Sequence, residues 1–192
     1  MQQSAVTRLT SGNAPDSARR HCQADPTRTP GRAARVAVLD SAGAVFLFRY
    51  DNTEVGVHRA MPGGGMEPGE SPLEAAGREM REETGWSDLV IEDGVLCLWE
   101  HDFTRAGVPV RQHEHIYLAY APHREPAGDL TAAHAEDSIE RWRWWSPADL
   151  AAGHEPLWPP QLPELLAAVR RSGVPATPVD LGFVPNGPVV RG

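Results

Sequence analysis

The chain has 192 residues, enough for one domain with a sizeable core, and its 41% apolar and 23% charged residues are usual for a globular protein. Its formal net charge of -8 disfavours nucleic-acid polymers and anionic membranes as main partners, because both repel an acidic surface. No apolar run approaches the roughly 20 residues that a membrane-spanning helix needs. A small anionic substrate stays compatible with this charge if a metal ion supplies positive charge.

The two ends of the chain differ in composition from its middle. Residues 1–31 are rich in Ser, Thr, Ala, Arg and Pro without periodicity, and lack the apolar region of a secretory signal. Residues 173–192 are rich in Pro and Gly, so we expect no regular element there. Cys22 and Cys97 lie far apart and suggest no disulfide framework. These features predict two tails around a domain at 32–172, in a cytoplasmic protein.

The middle of the chain alternates short β-rich runs with fewer helical segments. The runs at 35–40 and 44–49 flank Ser41-Ala42-Gly43 and predict a hairpin, and 54–58 leads into a glycine-rich loop. After a helix come two strands at 89–103 and 108–122, which we expect to form a long antiparallel pair joined by a turn. A further strand at 139–146 and two short helices at 147–152 and 162–171 follow. This order predicts an α+β fold, an α/β/α sandwich around a mixed β-sheet.

The clearest helix follows the glycine-rich loop, at 72–84. Ser71 is a favourable N-cap residue, Pro72 suits the first helical position, and Glu74 can complete a capping box with Ser71. Gly85 supplies the left-handed residue that ends many helices. We therefore expect this helix to begin and end sharply.

One face of this helix carries three acidic residues. Glu79, Glu82 and Glu83 are spaced i, i+3 and i+4, where like charges repel. A hard divalent cation such as Mg²⁺ would offset the repulsion, and it binds substrate phosphates as well. Arg78 can pair with Glu82 or reach back to Glu70. The competing interpretation is a solvated acidic face without a ligand.

The complete spacing from Gly64 through Glu70 to the segment 78–86 resembles the signature of the Nudix hydrolases at every fixed position. The strand order at about 33–170 is also similar to that family's sandwich. The resemblance implies a hydrolase that uses Mg²⁺ or Mn²⁺ to cleave a nucleoside diphosphate linked to a further group. The oxygen of a metal-bound water would attack phosphorus and displace a phosphate leaving group in line.

The resemblance also assigns roles to individual residues. It implies metal ligation by the carboxylates of Glu79, Glu82 and Glu83 and by the carbonyl of Gly64. It implies that Arg78 and Glu70 brace the loop against the helix. Among these residues, Glu82, Glu83 and Arg78 are expected to matter most directly for catalysis.

The general base is less well defined by the sequence. In similar proteins it comes from the signature or from a carboxylate outside it. The loop before the Trp-rich strand offers Glu136, Asp137 and Glu140, of which we favour Glu136. Glu114, near the start of the strand at 108–122, is a second candidate. Loop solubility is the competing explanation for the first group.

The substrate pocket is predicted only from residue types. Phe103, Tyr117 and Trp158 lie on elements that could line a base pocket, although core packing is the more usual role of such aromatic residues. Arg59 stands where similar proteins carry an aromatic residue, and it could contact a phosphate or lie at the surface. Phe103 also replaces a tyrosine typical of relatives that cleave diadenosine polyphosphates, and His101 replaces a proline typical of ADP-ribose hydrolases.

These observations favour a nucleoside triphosphate, or a modified form of one, as the substrate. Two alternatives stay open: a prenyl diphosphate hydrolase or isomerase, and a regulatory domain that senses a nucleotide. The complete acid set argues against a pure sensor. We expect a small diphosphate as the partner, no nucleic-acid polymer and no membrane, and the sequence leaves a homodimer open.

Overall fold

The computed structural model of the protein describes residues 27–52 and 55–183. Over these ranges it contains nine strands and four helices. The strands are β1 Thr29–Leu39, β2 Val45–Asn52, β3 Gly56–Ala60, β4 Gly63–Gly65, β5 Cys97–Arg105, β6 Val108–Tyr120, β7 Ile139–Trp145, β8 Leu157–Trp158 and β9 Val179–Phe183. The helices are α1 Pro72–Thr84, α2 Thr131–Glu136, α3 Pro147–Ala152 and α4 Leu162–Ser172. No helix in these ranges is long and apolar enough to cross a membrane.

The strands form one mixed sheet in the order β8-β3-β2-β1-β6-β5-β9, with β4 paired to β1 and β7 paired to β2. The central pair, β1 and β6, is parallel from Thr29 opposite Val110 to Leu39 opposite Tyr120. Antiparallel pairs flank it, including β1 with β2 and β5 with β6. The predicted α+β fold with a mixed sheet is therefore confirmed.

Helices cover both faces of the sheet. Because successive strand residues point to opposite faces, Phe46 and Phe48 of β2 join a core with α1, whereas Val45 and Leu47 join a core with α3 and α4. The first core contains most of the buried aromatic side chains, and the second is almost entirely aliphatic. The functional residues described below lie on the α1 side.

Most predicted elements are present, with corrections at their ends. The hairpin around 41–43, the antiparallel pair β5 and β6, and α1, α3 and α4 all form where the sequence indicates. The strand predicted to begin at 89 begins at Cys97, because the preceding residues contribute only an isolated bridge from Ile91. The glycine stretch predicted as a loop pairs with β1 as the short strand β4.

Two strands extend into the segments predicted as tails. Strand β1 starts at Thr29, inside the segment predicted as a tail. Strand β9 forms within 173–192, where no regular element was expected, because its backbone pairs in parallel with β5 at the sheet edge. The short helix α2 was not predicted, since six residues carry too little periodicity. The remainder of both predicted tails, 1–26 and 184–192, lies outside the described residues.

Candidate active site

Helix α1 is fixed at both ends by local contacts. The Ser71 hydroxyl accepts a hydrogen bond from the Glu74 amide, and the Glu74 carboxylate accepts one from the Ser71 amide at 2.8 Å. Gly85 ends the helix in the left-handed conformation with φ 69°, and a Cβ there would collide with the Ala127 carbonyl oxygen. The capping box and the glycine end are thus confirmed, and they determine where the helix begins and ends.

The glycine strand β4 lies against the acidic face of α1. Gly63 has φ +136°, and a Cβ there would stand 2.6 Å from the Arg35 Cα. A Cβ on Gly64 would stand 2.7 Å from the Glu79 Oε1. Glycine is therefore needed at 63 for its backbone conformation, whereas at 64 it allows the close approach of a carboxylate.

The three glutamates of the acidic face have unequal environments. Glu83 is 1% exposed, and its Oε2 accepts a hydrogen bond from the Gly63 amide at 2.7 Å. Burial, together with the nearby Glu79 and Asp137 charges, raises the pKa of the Glu83 carboxyl well above its usual range. Burial likewise raises the pKa of Glu79, whereas the Glu82 side chain is 54% exposed. The three glutamates lie along one face of α1, as their helical spacing predicts, and Glu83 is the most buried of them.

Arg78 links the glycine strand, the following loop and the helix. Its Nε and Nη2 donate to the two Glu70 oxygens, both at 3.0 Å, and Nη2 also donates to the Gly65 carbonyl at 2.9 Å. Its Nη1 donates to Glu79 at 2.9 Å and to Glu82 at 3.1 Å. Arg78 thus makes both pairings that the sequence offered as alternatives, and these carboxylates raise its own pKa, with Glu70 contributing most.

The donor set of this site suits a divalent cation. Glu79, Glu82 and Glu83 provide carboxylate oxygens, the ligands that Mg²⁺ prefers, and Gly64 lies against one of them. Among the described residues, no three acidic, His or Cys side chains are grouped as ready metal ligands. The Arg78 guanidinium instead bridges Glu79 and Glu82. Since this guanidinium already places a positive charge between Glu79 and Glu82, the same carboxylates are suited to a positive metal ion at this position.

A further carboxylate approaches from the end of α2. His134 Nε2 lies 2.8 Å from the Glu83 carbonyl oxygen and docks α2 on α1. Asp137 follows α2, and its charge raises the pKa of both Glu79 and Glu83. Partial desolvation of its carboxyl and the charge of Glu136 raise the pKa of Asp137 itself. Glu136, on the last turn of α2, and Asp137 are both exposed. Of the two, Asp137 is the one whose charge acts on the glutamates.

Glu114 is held in a buried ion pair. It is 2% exposed, and its two oxygens lie 3.1 and 3.0 Å from the Arg35 Nε. His101 Nε2 lies 3.2 Å from Oε1. Burial alone would raise the pKa of Glu114, but Arg35 and His101 overcome that effect and lower it to about 2. A carboxylate with so low a pKa and no free oxygen is a poor proton acceptor.

Five buried rings, the aromatic cluster, adjoin these charged residues: Tyr50, His58, Trp99, His101 and Trp158. His58 stacks on Trp158, and Trp99 stacks on His101, each with ring centroids 4.0 Å apart. The Tyr50 hydroxyl lies 3.5 Å from Glu83 Oε1. Burial lowers the pKa of His58 to about 4, so its ring is neutral at pH 7. The cluster packs beside the most buried glutamate and is almost entirely closed to solvent.

The other predicted pocket residues fall in different places. Phe103 is partly buried, 5.6 Å from the His101 ring, and Tyr117 is buried in the same core. Arg59 is 1% exposed on the opposite side of the sheet, where its guanidinium lies 4.1 Å from the Trp145 ring centroid and donates to the Glu155 carbonyl. Because strand residues alternate between faces, Arg59 points away from the glutamates that its neighbour His58 faces. The surface position offered for Arg59 is therefore wrong, and its direction away from the glutamates disfavours contact with a phosphate bound there.

Comparison with known proteins identifies the family. The sequence model of the NUDIX domain matches residues 29–169, from β1 into α4. The chain belongs to the Nudix hydrolase family. This Nudix hydrolase is 29% identical to the uncharacterized Nudix hydrolase orf19 of Rhodococcus erythropolis over 138 residues, 66% of this chain and 69% of that protein. It is 30% identical to the RNA pyrophosphohydrolase of Erythrobacter litoralis over 132 residues, 62% of this chain and 77% of that protein.

Solved structures share the fold of this Nudix hydrolase. A MutT protein from Methanosarcina mazei Go1 superimposes with a TM-score of 0.56 at 16% identity, over 75% of this chain and 95% of the other. A C. elegans Ap4A hydrolase superimposes with a TM-score of 0.51 at 19% identity, over 73% of this chain and 98% of the other. At these identities the likeness shows the architecture only.

Sequence reasoning missed one central residue of this Nudix hydrolase. Arg35 occupies the first position of the run at 35–40, which the sequence predicts only as a strand. Its Nη1 donates to the carbonyls of Met61 and Gly63, both at 3.0 Å. The available signal was the presence of a charged residue in a strand destined for burial, since such a charge needs a partner.

Proposed function

We propose that this Nudix hydrolase cleaves the diphosphate linkage of a nucleoside diphosphate joined to a further phosphate or group, with a nucleoside triphosphate or a modified form of one as the leading substrate. One observation carries the proposal: the buried Glu83 and Glu79 lie against the glycine strand, and Arg78 donates to Glu79. Carboxylates that are buried this close together destabilise the folded protein unless a cation binds between them. A diphosphate needs the same cation for its own charge.

In this proposal Glu79, Glu82 and Glu83 hold Mg²⁺ or Mn²⁺ together with the Gly64 carbonyl. The ion would neutralise the diphosphate and increase the acidity of the attacking water. Glycine at 64 lets the Glu79 carboxylate lie close to the backbone that carries the proposed carbonyl ligand. Arg78 keeps the loop and the helix in register through Glu70 and Gly65.

The proton of the attacking water needs an acceptor. The water oxygen forms a bond to phosphorus, the bond from phosphorus to the leaving phosphate oxygen breaks, and a carboxylate takes the proton. We assign this role to Asp137, whose charge acts on Glu79 and Glu83. Glu136, which the sequence favoured, is the adjacent alternative. Ser138, with φ 60°, turns the chain sharply at this point and fixes the direction of the loop.

The aromatic cluster does not decide between a nucleobase and a prenyl chain, because its rings are almost entirely buried. The relative from E. litoralis is named for a pyrophosphohydrolase that acts on RNA, and a triphosphate at an RNA end shares its chemistry with a free nucleoside triphosphate. The net charge of -8 favours the free nucleotide. A cytoplasmic location agrees with such a substrate.

A substrate panel tests the proposal. Purified protein with Mg²⁺ is incubated with the common nucleoside triphosphates, oxidised nucleoside triphosphates, a dinucleoside polyphosphate, a triphosphorylated oligoribonucleotide and a prenyl diphosphate. Released phosphate and pyrophosphate are measured separately. We expect the highest kcat/KM on a nucleoside triphosphate. Turnover confined to the prenyl compound would establish that alternative, and nucleotide binding without turnover would establish a sensor.

A further inference from the structure

Three charged or polar side chains from three adjacent strands form a chain of contacts beneath the glycine strand. His101 on β5 contacts Glu114 on β6, Glu114 contacts Arg35 on β1, and Arg35 contacts the carbonyls of Met61 and Gly63. The strand register brings them together, because β6 lies between β1 and β5 and Gly63 pairs opposite Arg35. We call these three side chains the relay.

We propose that Glu114 is a positioning residue, which holds the Arg35 side chain. Arg35 in turn holds the Met61 and Gly63 carbonyls, and this keeps the Gly63 N–H in its hydrogen bond to Glu83. The proposal rests on the function proposed above, since it explains how the glycine strand is kept in a reactive geometry. It assigns Glu114 no contact with substrate or with a metal ion.

The contacts of Gly63 give the first argument. Its carbonyl accepts from Arg35 and its amide donates to Glu83 at 2.7 Å, so both polar groups of this residue end on buried side chains. Its φ of +136° is a conformation that depends on the surroundings to persist. Loss of either contact would free the strand that stands nearest to the catalytic glutamates.

The balance of buried charge gives the second argument. Arg35 and Glu114 have side chains only 14% and 1% exposed, and each is the nearest opposite charge to the other. Removing one partner of such a pair leaves the other desolvated and uncompensated. Arg35 would then turn toward another anion, and Glu83 already acts on its charge. Glu114 therefore prevents Arg35 from neutralising a glutamate that the site needs.

His101 completes the relay from the other side. Its ring stacks on Trp99, and its Nδ1 is buried without a hydrogen-bond partner in the described structure. The proton of a neutral ring is therefore best placed on Nε2, which donates to Glu114. The ring fixes the carboxylate in the orientation that Arg35 requires, and it connects the relay to the aromatic cluster.

The test uses variants of the full chain and a backbone readout. Glu114→Gln keeps the shape but removes the charge, and the double variant Arg35→Met with Glu114→Met removes both charges, so that no buried ion stays unpaired. Glu155→Gln is the matched control, because Glu155 pairs with Arg49 at 2.8 Å on the opposite face of the sheet. Amide hydrogen exchange is followed by NMR at Gly63 and, as a reference, at Gly85, which donates to Arg81 at the end of α1.

We expect Glu114→Gln and the double variant to accelerate Gly63 exchange by about tenfold or more, with Gly85 unchanged, since only a local opening is affected. The control should exchange like the wild type at both amides. With an active substrate, kcat should fall by roughly 10²-fold, KM should stay within a factor of about three, and the acid limb of the pH profile should be kept.

Two results would overturn the positioning role. Unchanged Gly63 exchange in both variants would show that Glu114 does not hold the strand. Disappearance of the acid limb in Glu114→Gln would identify Glu114 as the base. If the wild type cleaves no compound of the panel, the proposed function fails, yet the exchange measurement still decides whether the relay holds Gly63.

Discussion

The amide of Gly63 donates a hydrogen bond to Glu83 Oε2 at 2.7 Å, although 20 residues separate them in the chain. This bond joins the glycine strand to the most buried carboxylate of α1. Burial raises the pKa of Glu83, and the Gly63 amide acts against that rise because it stabilises the charged form. The strand β4 and the helix α1 are therefore coupled, and a substitution in one should alter the structure of the other.

Gly63→Ala should disrupt this unit. The new methyl group would meet the Ala34 carbonyl oxygen and the Arg35 backbone, and φ +136° is unfavourable for alanine. We expect a loss of about 3 kcal/mol or more in the free energy of unfolding, measured by urea denaturation. Gly69→Ala is the control, because Gly69 also has positive φ but no atom within 4 Å of the added carbon. It should cost only about 1 kcal/mol, and equal losses for the two variants would contradict the account.

Arg78→Ala should reduce turnover without unfolding the protein. The variant loses the contacts to Glu70, Glu79 and Gly65 that hold the loop on the helix. We expect kcat to fall by roughly 10²-fold through misplacement of the site, while the melting temperature changes by only a few degrees. Arg81→Ala, an exposed arginine on the same helix, should behave like the wild type. Wild-type turnover in Arg78→Ala would remove the brace from the mechanism.

The sequence defines the acidic site better than its surroundings. Helix α1 follows from local signals, since Ser71, Glu74 and Gly85 each specify an end, and the spacing of Glu79 and Glu83 follows from helix geometry. The burial of Glu83 could not be predicted, because it depends on how β4 packs on α1. The parallel pairing of β1 with β6 could not be predicted either. It brings Arg35 and Glu114, 79 positions apart in the sequence, into contact.

Asp137→Asn should slow hydrolysis more than Glu136→Gln. Both loop carboxylates are exposed, but it is the charge of Asp137 that contributes, after burial, to the raised pKa values of Glu79 and Glu83. Loss of a general base typically costs about 10²-fold or more in kcat, and KM should change little because the residue does not hold phosphate. Steady-state kinetics of the two variants decides between them. A deficit confined to Glu136→Gln would return the role to the residue that the sequence favoured.

The stabilising effect of Glu114 should depend on pH. Its pKa is lowered from 4.5 to about 2 in the folded protein, so its charge stabilises the fold above pH 4.5 and this contribution is lost as the pH falls toward 2. The full contribution corresponds to about 3 kcal/mol. The difference in unfolding free energy between wild type and Glu114→Gln should therefore shrink between pH 5 and pH 3. A constant difference over this range would indicate that the charge of Glu114 is not what stabilises the fold.

The most direct test of the central claim is the metal dependence of nucleotide hydrolysis by the wild type and by Glu83→Gln. Phosphate and pyrophosphate release from the best substrate of the panel is measured with Mg²⁺, after addition of excess chelator, and after Mg²⁺ or Mn²⁺ is restored. We expect no turnover in chelator, full recovery with the metal, and a loss of roughly 10²-fold or more in kcat for Glu83→Gln, because charge stabilisation at the reacting phosphate is lost. Hydrolysis that continues unchanged in excess chelator, or a Glu83→Gln variant as fast as the wild type, would contradict the account.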